Sequence, residues 1–543
     1  MKKSFYILPI LALGLGACSQ DVLNPEDSDN VLSNEQQQES KGLTNADLAV
    51  FKGNPSRITY ANATRAGWDD ELAEGQLELV ASIANPSKAE GFNFSKEEGG
   101  RWMSATNVFY NEEDQTYYVT YHIQGNNYNT QLTNDIGGAV QTFKINDDGT
   151  VELGDGFRAA SPNKEDYDFN HLYFDKNDNR IIVVGHRWRV PSSWTSEEDY
   201  TGKRDNTNAI IGLFNPVAGT VKYKTIQTEE KAYDEQGRSL GYKDAGDANC
   251  VIRLLDYPRY YVATRKGLAV LHSSEEKLFE PVVNPDSTNY FVPTPGSCKF
   301  VFDTPRVGSM FDFLYLTAPE KSESYSHASG YNIAQFQVWD GSETDNFHGL
   351  IGLGGENVTY YDSKDLDILS YGKQIKSEDR GGDYVITPTD GKNTLWVNED
   401  YEYYAALGTS GMYYTYHGTI SSRPYEGVMK FGNRPVNCVV MDLPEYESDH
   451  DGFIYVANGA KLTILHRRTM QEVASYNIPF VDEDGNQIAS SANYIHVRKV
   501  PRVGDSFDMR ERIITVAFGQ EGVKIFRFKP EHKPNWVWEL GLE

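Results

Sequence analysis

One three-strand phrase recurs along this chain and constrains its fold more than any other feature. From Asn249 the sequence runs NCVIRLLD, YPRYYVATRKG, LAVLH; from Asn393 it runs NTLWVNED, YEYYAALGTSG, MYYTYH. The two copies lie 144 residues apart, and this offset carries Asp256 to Asp400, Tyr257 to Tyr401, Tyr260 to Tyr404 and Gly267 to Gly411. Looser copies open at Asn107, Asn170, Ser297, Asn437 and Asn493. Self-similarity on this scale marks a repeat architecture, in which one supersecondary unit is stacked many times.

Each copy reads as a small sheet. A short apolar run follows the Asn. A turn rich in Asp, Asn or Gly leads to an aromatic and β-branched run such as YYVAT, IIVVG or IYVAN, and a Gly-containing turn leads to a third run such as LAVLH, LTILH or VKIFRF. Runs of this length and composition between turn formers are strand signals. A fourth strand is visible in some copies, as in QEVASYNI near residue 475. No long stretch shows the 3.6-residue apolar period of an amphipathic helix. Four antiparallel strands repeated radially make a β-propeller, so the expectation is an all-β chain with seven blades starting at 107, 170, 249, 297, 393, 437 and 493. The wide step from 297 to 393 leaves room for an eighth, with NVTYYD (357–362) as its one candidate strand; an insertion is the preferred reading. QLELVAS (76–82) or NWVWELG (535–541) would supply an outer strand to the last blade. The phrases YVATRKGLAVLH and YVANGAKLTILH resemble the YVTN and LVIVD-type propeller lipoproteins of Gram-negative envelopes, over roughly residues 104–528. That resemblance implies a fold and an address rather than an activity, because propellers host many functions.

The N-terminus reads as a targeting segment. Lys2 and Lys3 precede a mostly apolar run at 4–15, too short for a membrane span of about 20 residues, and Leu15-Gly16-Ala17-Cys18 follows. This resembles a bacterial lipobox. The resemblance implies a signal peptide at 1–17 and a Cys18 that carries the acyl chains, palmitate among them. Ser19 in place of Asp implies the outer membrane, and the scattered acids Asp21, Glu26, Asp27 and Asp29 loosely resemble a surface-export signal. Residues 18–70 read as lipidated Cys plus flexible tether, polar by composition, and residues 75–543 as the propeller.

The formal charge of −27 argues against nucleic acid or anionic lipid as a direct partner. The membrane would be reached through the lipid alone. Besides Cys18 there are Cys250, Cys298 and Cys438, each directly after a strand-opening Asn or Ser. They read as small packing residues of the inner strands; a Cys250–Cys298 bridge is the other reading, and no spacing suggests zinc.

The topology points to a functional rim. First-strand starts and the loops between second and third strands share one end of a propeller's central channel. The recurrent Asn residues would ring that rim, as turn punctuation or as an amide lining of the mouth. Three loops there are long: 124–137, 186–208 and 318–330. Long loops on a rigid scaffold are where binding residues concentrate. The candidate ligand residues are Arg101, Trp102, Tyr128, His186, Arg187, Trp188, Arg189, Trp194, Arg265, Lys266, Tyr325, His327 and Arg434. Arg offers a planar fork to carboxylate or phosphate and Trp a stacking face; the bland alternative is that HRWR merely finishes a strand. NDDGT (146–150), DKNDN (175–179) and DEDGN (482–486) look like calcium-loop fragments but fall where hairpin turns are needed. No catalytic motif, cofactor or metal set stands out. Two functions remain. One is a non-catalytic binding or scaffold lipoprotein for a glycan, an anionic small ligand or a protein partner. The other is a polysaccharide lyase or hydrolase, which would require His122, His186, Asp168 or Asp247 to converge with an Arg.

Overall fold

The computed structural model describes residues 42–62, 72–87, 90, 102–124, 138–158, 165–189, 207–233, 236–253, 259–282, 291–293, 300–304, 311–319, 330–339, 349–354, 357–361, 373–375, 393–398, 403–408, 411–415, 426–430, 436–442, 453–458, 461–466, 471–478, 492–500 and 511–531; for the strands from 291 to 430 only the backbone path is described. The signal peptide, Cys18, Cys298, DEDGN and NWVWELG lie outside these residues. No described helix is long and apolar enough to cross a membrane.

The fold is all-β, and its sheets are antiparallel and compatible with propeller blades. Sheet I holds Trp102–Asn111, Thr116–Gln124, Ala139–Ile145 and Val151–Arg158. Sheet II holds Glu165–Asp175, Arg180–Arg189, Thr207–Asn215 and Thr220–Thr225. Sheet III holds Ala248–Arg253, Arg259–Thr264, Gly267–His272 and Phe291–Pro293. Sheet IV begins at Phe300–Thr304, sheet V at Asn393–Asn398, sheet VI at Val436–Asp442 and sheet VII at Tyr494–Lys499. A separate two-stranded hairpin joins Gln227–Tyr233 to Ser239–Asp244. The extra length after residue 297 forms additional outer strands on sheet IV, and NVTYY (Asn357–Tyr361) is the fifth of its six. QLELVAS does join the last sheet: Leu77–Ile83 pairs with Val523–Phe528.

Part of the segment that reads as tether is built into these sheets. Thr44–Asp47 pairs with the last strand of sheet II, Ala49–Phe51 with that of sheet I, and Ile58–Tyr60 with Leu77–Ile83 at the edge of sheet VII. Edge strands this short bury one face at most, so polar composition does not exclude them; of TNAD only Ala46 is buried. Between the second and third of these strands Arg57 is buried. It donates to Ala84 O at 2.7 Å, Glu90 Oε1 at 2.8 Å, Gln141 Oε1 at 2.7 Å and the Tyr121 hydroxyl at 3.2 Å, tying sheet VII to sheet I.

The core lies between sheets. Side chains alternate along a strand, and in Arg180–Arg189 Ile181 and Val183 join Phe109, Tyr118 and Val140 of sheet I, whereas Ile182 and Val184 join Val251, Tyr260 and Val262 of sheet III. Both faces are buried, which is why the strand reads as a continuous apolar IIVV run. Similar layers join sheet I to sheet VII and sheet VI to sheet VII. First strands of successive sheets lie against one another in the order I to VII, and that of VII lies against that of I.

The recurrent Asn residues do something other than punctuate turns. Asn170, Asn249 and Asn437 are the extra residues of β-bulges in the first strands of sheets II, III and VI. In sheet I the bulge residue is Thr106, so Asn107 sits one position further on than the sequence repeat suggests. The side chains of Asn107, Asn170 and Asn493 bridge to the next sheet. Asn107 Oδ1 accepts from Leu172 N–H at 3.2 Å, Asn170 Nδ2 donates to Ala248 O at 3.0 Å, and Asn493 Nδ2 donates to Ala105 O at 2.8 Å.

Candidate functional site

The bulges fix a register in which equivalent residues of sheets I, II and III can be matched. Thr120, Val184 and Ala263 stand opposite the residue that follows the bulge. Two positions beyond them come His122, His186 and Arg265: one basic residue per sheet, at one level. Two positions before the bulge come Ser104, Asp168 and Asp247. Ser104 faces His122 and Asp168 faces His186 across their strand pairs, and Arg265 N–H donates to Asp247 O at 2.7 Å.

Because the sheets are packed side by side, the basic residue of one meets the acid of the next. His122 Nδ1 lies 3.2 Å from Asp168 Oδ2, and His186 Nδ1 lies 3.1 Å from Asp247 Oδ1. His186 Nε2 also lies 3.4 Å from Asp168 Oδ2, so the four side chains form one row: His122, Asp168, His186, Asp247. Asn170 Nδ2 donates to Asp247 Oδ1 at 2.8 Å, which makes the bulge Asn an orienting group for the row. Its outer members keep more contact with solvent, 26% of the His122 side chain and 29% of Asp247, against 15% of His186 and 11% of Asp168. The row therefore opens at both ends and is closed in the middle.

Electrostatics decide the protonation states. Burial opposes a charge on His186, but Asp247 and then Asp168 overcome it and raise its pKa to about 9, with Arg265 pulling the other way. His122 is likewise disfavoured by burial, and Asp168 more than compensates, so its pKa is raised as well. Burial works against ionised Asp168, yet His122 foremost, then His186, hold its pKa below the usual carboxylate value. At neutral pH His186 is an imidazolium ion and Asp168 a carboxylate, and His122 is pushed toward its charged form. Arg265 stands exposed at the end of the row. Three basic residues face two acidic ones, and the position in sheet IV that matches Asp168 and Asp247 is Pro295 in the sequence register.

About 10 Å further along the first strands, three residues at roughly 3.3 Å each, comes a second layer. His171 Nδ1 accepts from Val251 N–H at 3.3 Å, and its ring lies 5.8 Å from that of Tyr494 on sheet VII. Burial lowers the His171 pKa to about 4 and raises that of the Cys438 thiol to about 12. Cys250 and Cys438 are buried free thiols, as packing residues should be. This layer is apolar or neutral and offers no charge to a ligand. Among the described residues no group of three or more His, Cys, Asp or Glu has the geometry to hold a metal ion. NDDGT is a hairpin turn in which Thr150 N–H donates to Asp148 Oδ1 at 3.0 Å.

Of the residues singled out in the sequence, His186 and Arg265 belong to the charged row. Lys266 is beside it, its Nζ donating to Asp244 O at 2.6 Å. Arg187 points to the other face of its strand, where it donates to the Tyr223 hydroxyl at 2.9 Å and stacks on that ring. Trp102, Trp188 and Arg189 lie on strands whose backbone alone is described at these positions. Arg101, Tyr128, Trp194, Tyr325, His327 and Arg434 lie outside the described residues. His122, Asp168 and Asp247, named in the sequence only for the enzymatic reading, complete the row, and Arg265 stands at its end. The signal for the row was present: His122 and His186 close the equivalent strands TYYVTYH and RIIVVGH, 64 residues apart, once the hairpin turns rather than the Asn residues are aligned.

No protein-family model matches this chain, and no curated protein matches it. A solved structure described as "AfRom2 CNH domain" aligns over 67% of this chain and 95% of its own, at 10% identity and a TM-score of 0.28, a level of similarity from which nothing follows for this chain.

Proposed function

We propose that this chain is a lipid-anchored, closed seven-bladed β-propeller of the Gram-negative envelope that binds an anionic glycan, or another ligand bearing oxyanions, at the mouth formed by sheets I to III. One observation carries the reading: the row of His122, Asp168, His186 and Asp247 with Arg265 at its end, three basic residues beside two acidic ones in a protein whose formal charge is −27. A cationic site on a strongly acidic surface is a selective one, because the rest of the molecule repels the ligand. The cyclic packing of first strands and the seven sheets of four or more strands support the closed ring. The lipobox-like LGAC supports the anchor at Cys18 and an outer-membrane address, with a glycan, or a protein carrying one, as partner.

Binding fits the site better than lyase or hydrolase chemistry. A general base has to be unprotonated at working pH. His186 is held protonated by its neighbours, His122 is pushed the same way, and both carboxylates are engaged with them. The test is calorimetric titration of the full chain in detergent with trigalacturonate and with its uncharged methyl ester. Binding of the acid and not the ester is expected. Equal affinity for both would sink the anionic reading, and release of an unsaturated or shortened product would establish the enzymatic one. The anchor is tested separately: Cys18→Ala should move the protein from the membrane to the soluble fraction, and retention after mild extraction would refute it.

A further inference from the structure

The charged row is not symmetrical, and its asymmetry singles out one atom. Within sheet II, His186 faces an acid across its own strand pair, Asp168, and it also meets Asp247 from sheet III. Both its ring nitrogens are thereby occupied. Within sheet I, the position opposite His122 is Ser104, buried and uncharged. His122 has only the acid of the next sheet, Asp168, whose Oδ2 lies 3.2 Å from Nδ1 as an ion pair without hydrogen-bonding geometry. Its Nε2 engages no described residue. The row cannot extend further on that side: the residue of sheet VII equivalent to His122 and His186 is Gly519, two beyond Ala517, which pairs with Tyr494. His122 is also the more exposed of the two histidines.

We propose that His122, through Nε2–H, is the group of this mouth that donates to a bound oxyanion, and that Asp168, itself held by His186, is the positioning residue beside its other nitrogen. This rests on reading the mouth as an anion site and names the atom that reads the anion. Asp168 is backed by the Gly138 segment: a Cβ at position 138 would come within 2.7 Å of Asp168 Oδ1, so glycine there lets the chain pack against the carboxylate. The carboxylate stands beside Nδ1 at ion-pair distance and leaves Nε2–H for a ligand. A donor of this kind makes a charge-assisted hydrogen bond to an oxyanion, roughly twice as strong as a neutral one.

The experiment is histidine-selective nitrogen NMR of the full chain, with inorganic sulfate and trigalacturonate as probes, alongside calorimetry of His122→Gln and His186→Gln. At pH 7.5 both nitrogens of His122 should be protonated. Either probe should move the His122 Nε2 resonance and leave those of His186 nearly in place. His122→Gln should weaken trigalacturonate about 10-fold or more, the equivalent of one charge-assisted bond. His186→Gln should weaken it less and should raise the pH at which His122 titrates, because it removes a neighbouring cation that opposes the charge on His122, which a purely structural role would not do. A neutral His122 at pH 7.5, an unmoved Nε2 resonance under sulfate, or unchanged affinity in His122→Gln overturns the assignment even if trigalacturonate binds. Failure of trigalacturonate to bind while sulfate still moves His122 overturns the glycan reading and upholds His122 as the donor.

Discussion

Raising the pH from 6.5 to 9.5 should cost this protein stability through His186 specifically. In the folded chain the imidazole keeps its proton up to about pH 9, against 6.5 when free, because Asp247 and Asp168 outweigh its burial. The folded state therefore binds more protons than the unfolded one across this window, and stability must fall as pH rises. The stabilisation is fully present below pH 6.5 and gone above 9. The difference between 6.5 and about 9 sets an upper bound of about 3 kcal/mol. Because the side chain keeps 15% of its exposure, water screens part of that; about 2 kcal/mol is the expected loss. The perturbation is His186→Gln, which keeps an amide near both carboxylates and removes the titration. Urea unfolding followed by tryptophan fluorescence at half-unit steps from pH 6 to 9.5 gives the two curves. Other titrating groups are present in both, and those coupled to position 186 are its row neighbours His122 and Asp168, so the difference reports the charged row. The wild type should lose about 2 kcal/mol more than the variant. Parallel curves would mean that His186 is not held as an ion, and the row of alternating charges would fall with it.

On the acid side, the signs reverse for His171 and His496, whose pKa values are both lowered to about 4, by burial first and, for His496, by Arg498 as well. The unfolded chain takes up protons that the folded one refuses, so stability should fall as pH drops from 6.5 to 4, and His171→Gln should flatten that slope by up to about 1.4 kcal/mol per pH unit; an unchanged slope counts against the buried neutral ring. Arg57→Met should destabilise by about 3–5 kcal/mol, since it strands Glu90 in the interior, and adding Glu90→Leu should recover much of the loss; a thermal-unfolding cycle showing additive losses would refute the pairing. Asn493→Ala removes the bond to Ala105 O and should cost about 1–3 kcal/mol in the same assay, whereas no cost would mean that the Asn residues do not join sheets.

The strands were legible because each is a run of β-branched and aromatic residues between turn formers, buried on both faces. Turn-free alignment failed by one residue in sheet I, because a bulge adds a residue that composition does not mark: Thr106, not Asn107, occupies it. Residues 44–60 were illegible as structure because strands of three or four residues at an edge bury too little to form an apolar run. Topology puts first-strand starts and second-strand ends at one end of a sheet, which is why His186 and Arg265 could be named together from the sequence. The alternating order of the row was not legible, since pairing across sheets depends on which residue of one repeat faces which residue of the next, and a repeat compared only with itself is silent on that. The cationic Arg187 next to His186 shows the converse: neighbours in sequence, they lie on opposite faces of one strand.

Sheet VII is made from both ends of the chain, and this sets a clock on its assembly. Ile83 pairs with Val523, so a strand made early waits for one made 440 residues later. At about 5–20 residues per second of synthesis, that is roughly 20–90 s. Throughout this interval Leu77–Ile83 is an unpaired edge with an apolar side, the kind of surface on which chains aggregate. A cell that makes this protein must keep that strand apart from other chains until the last sheet emerges.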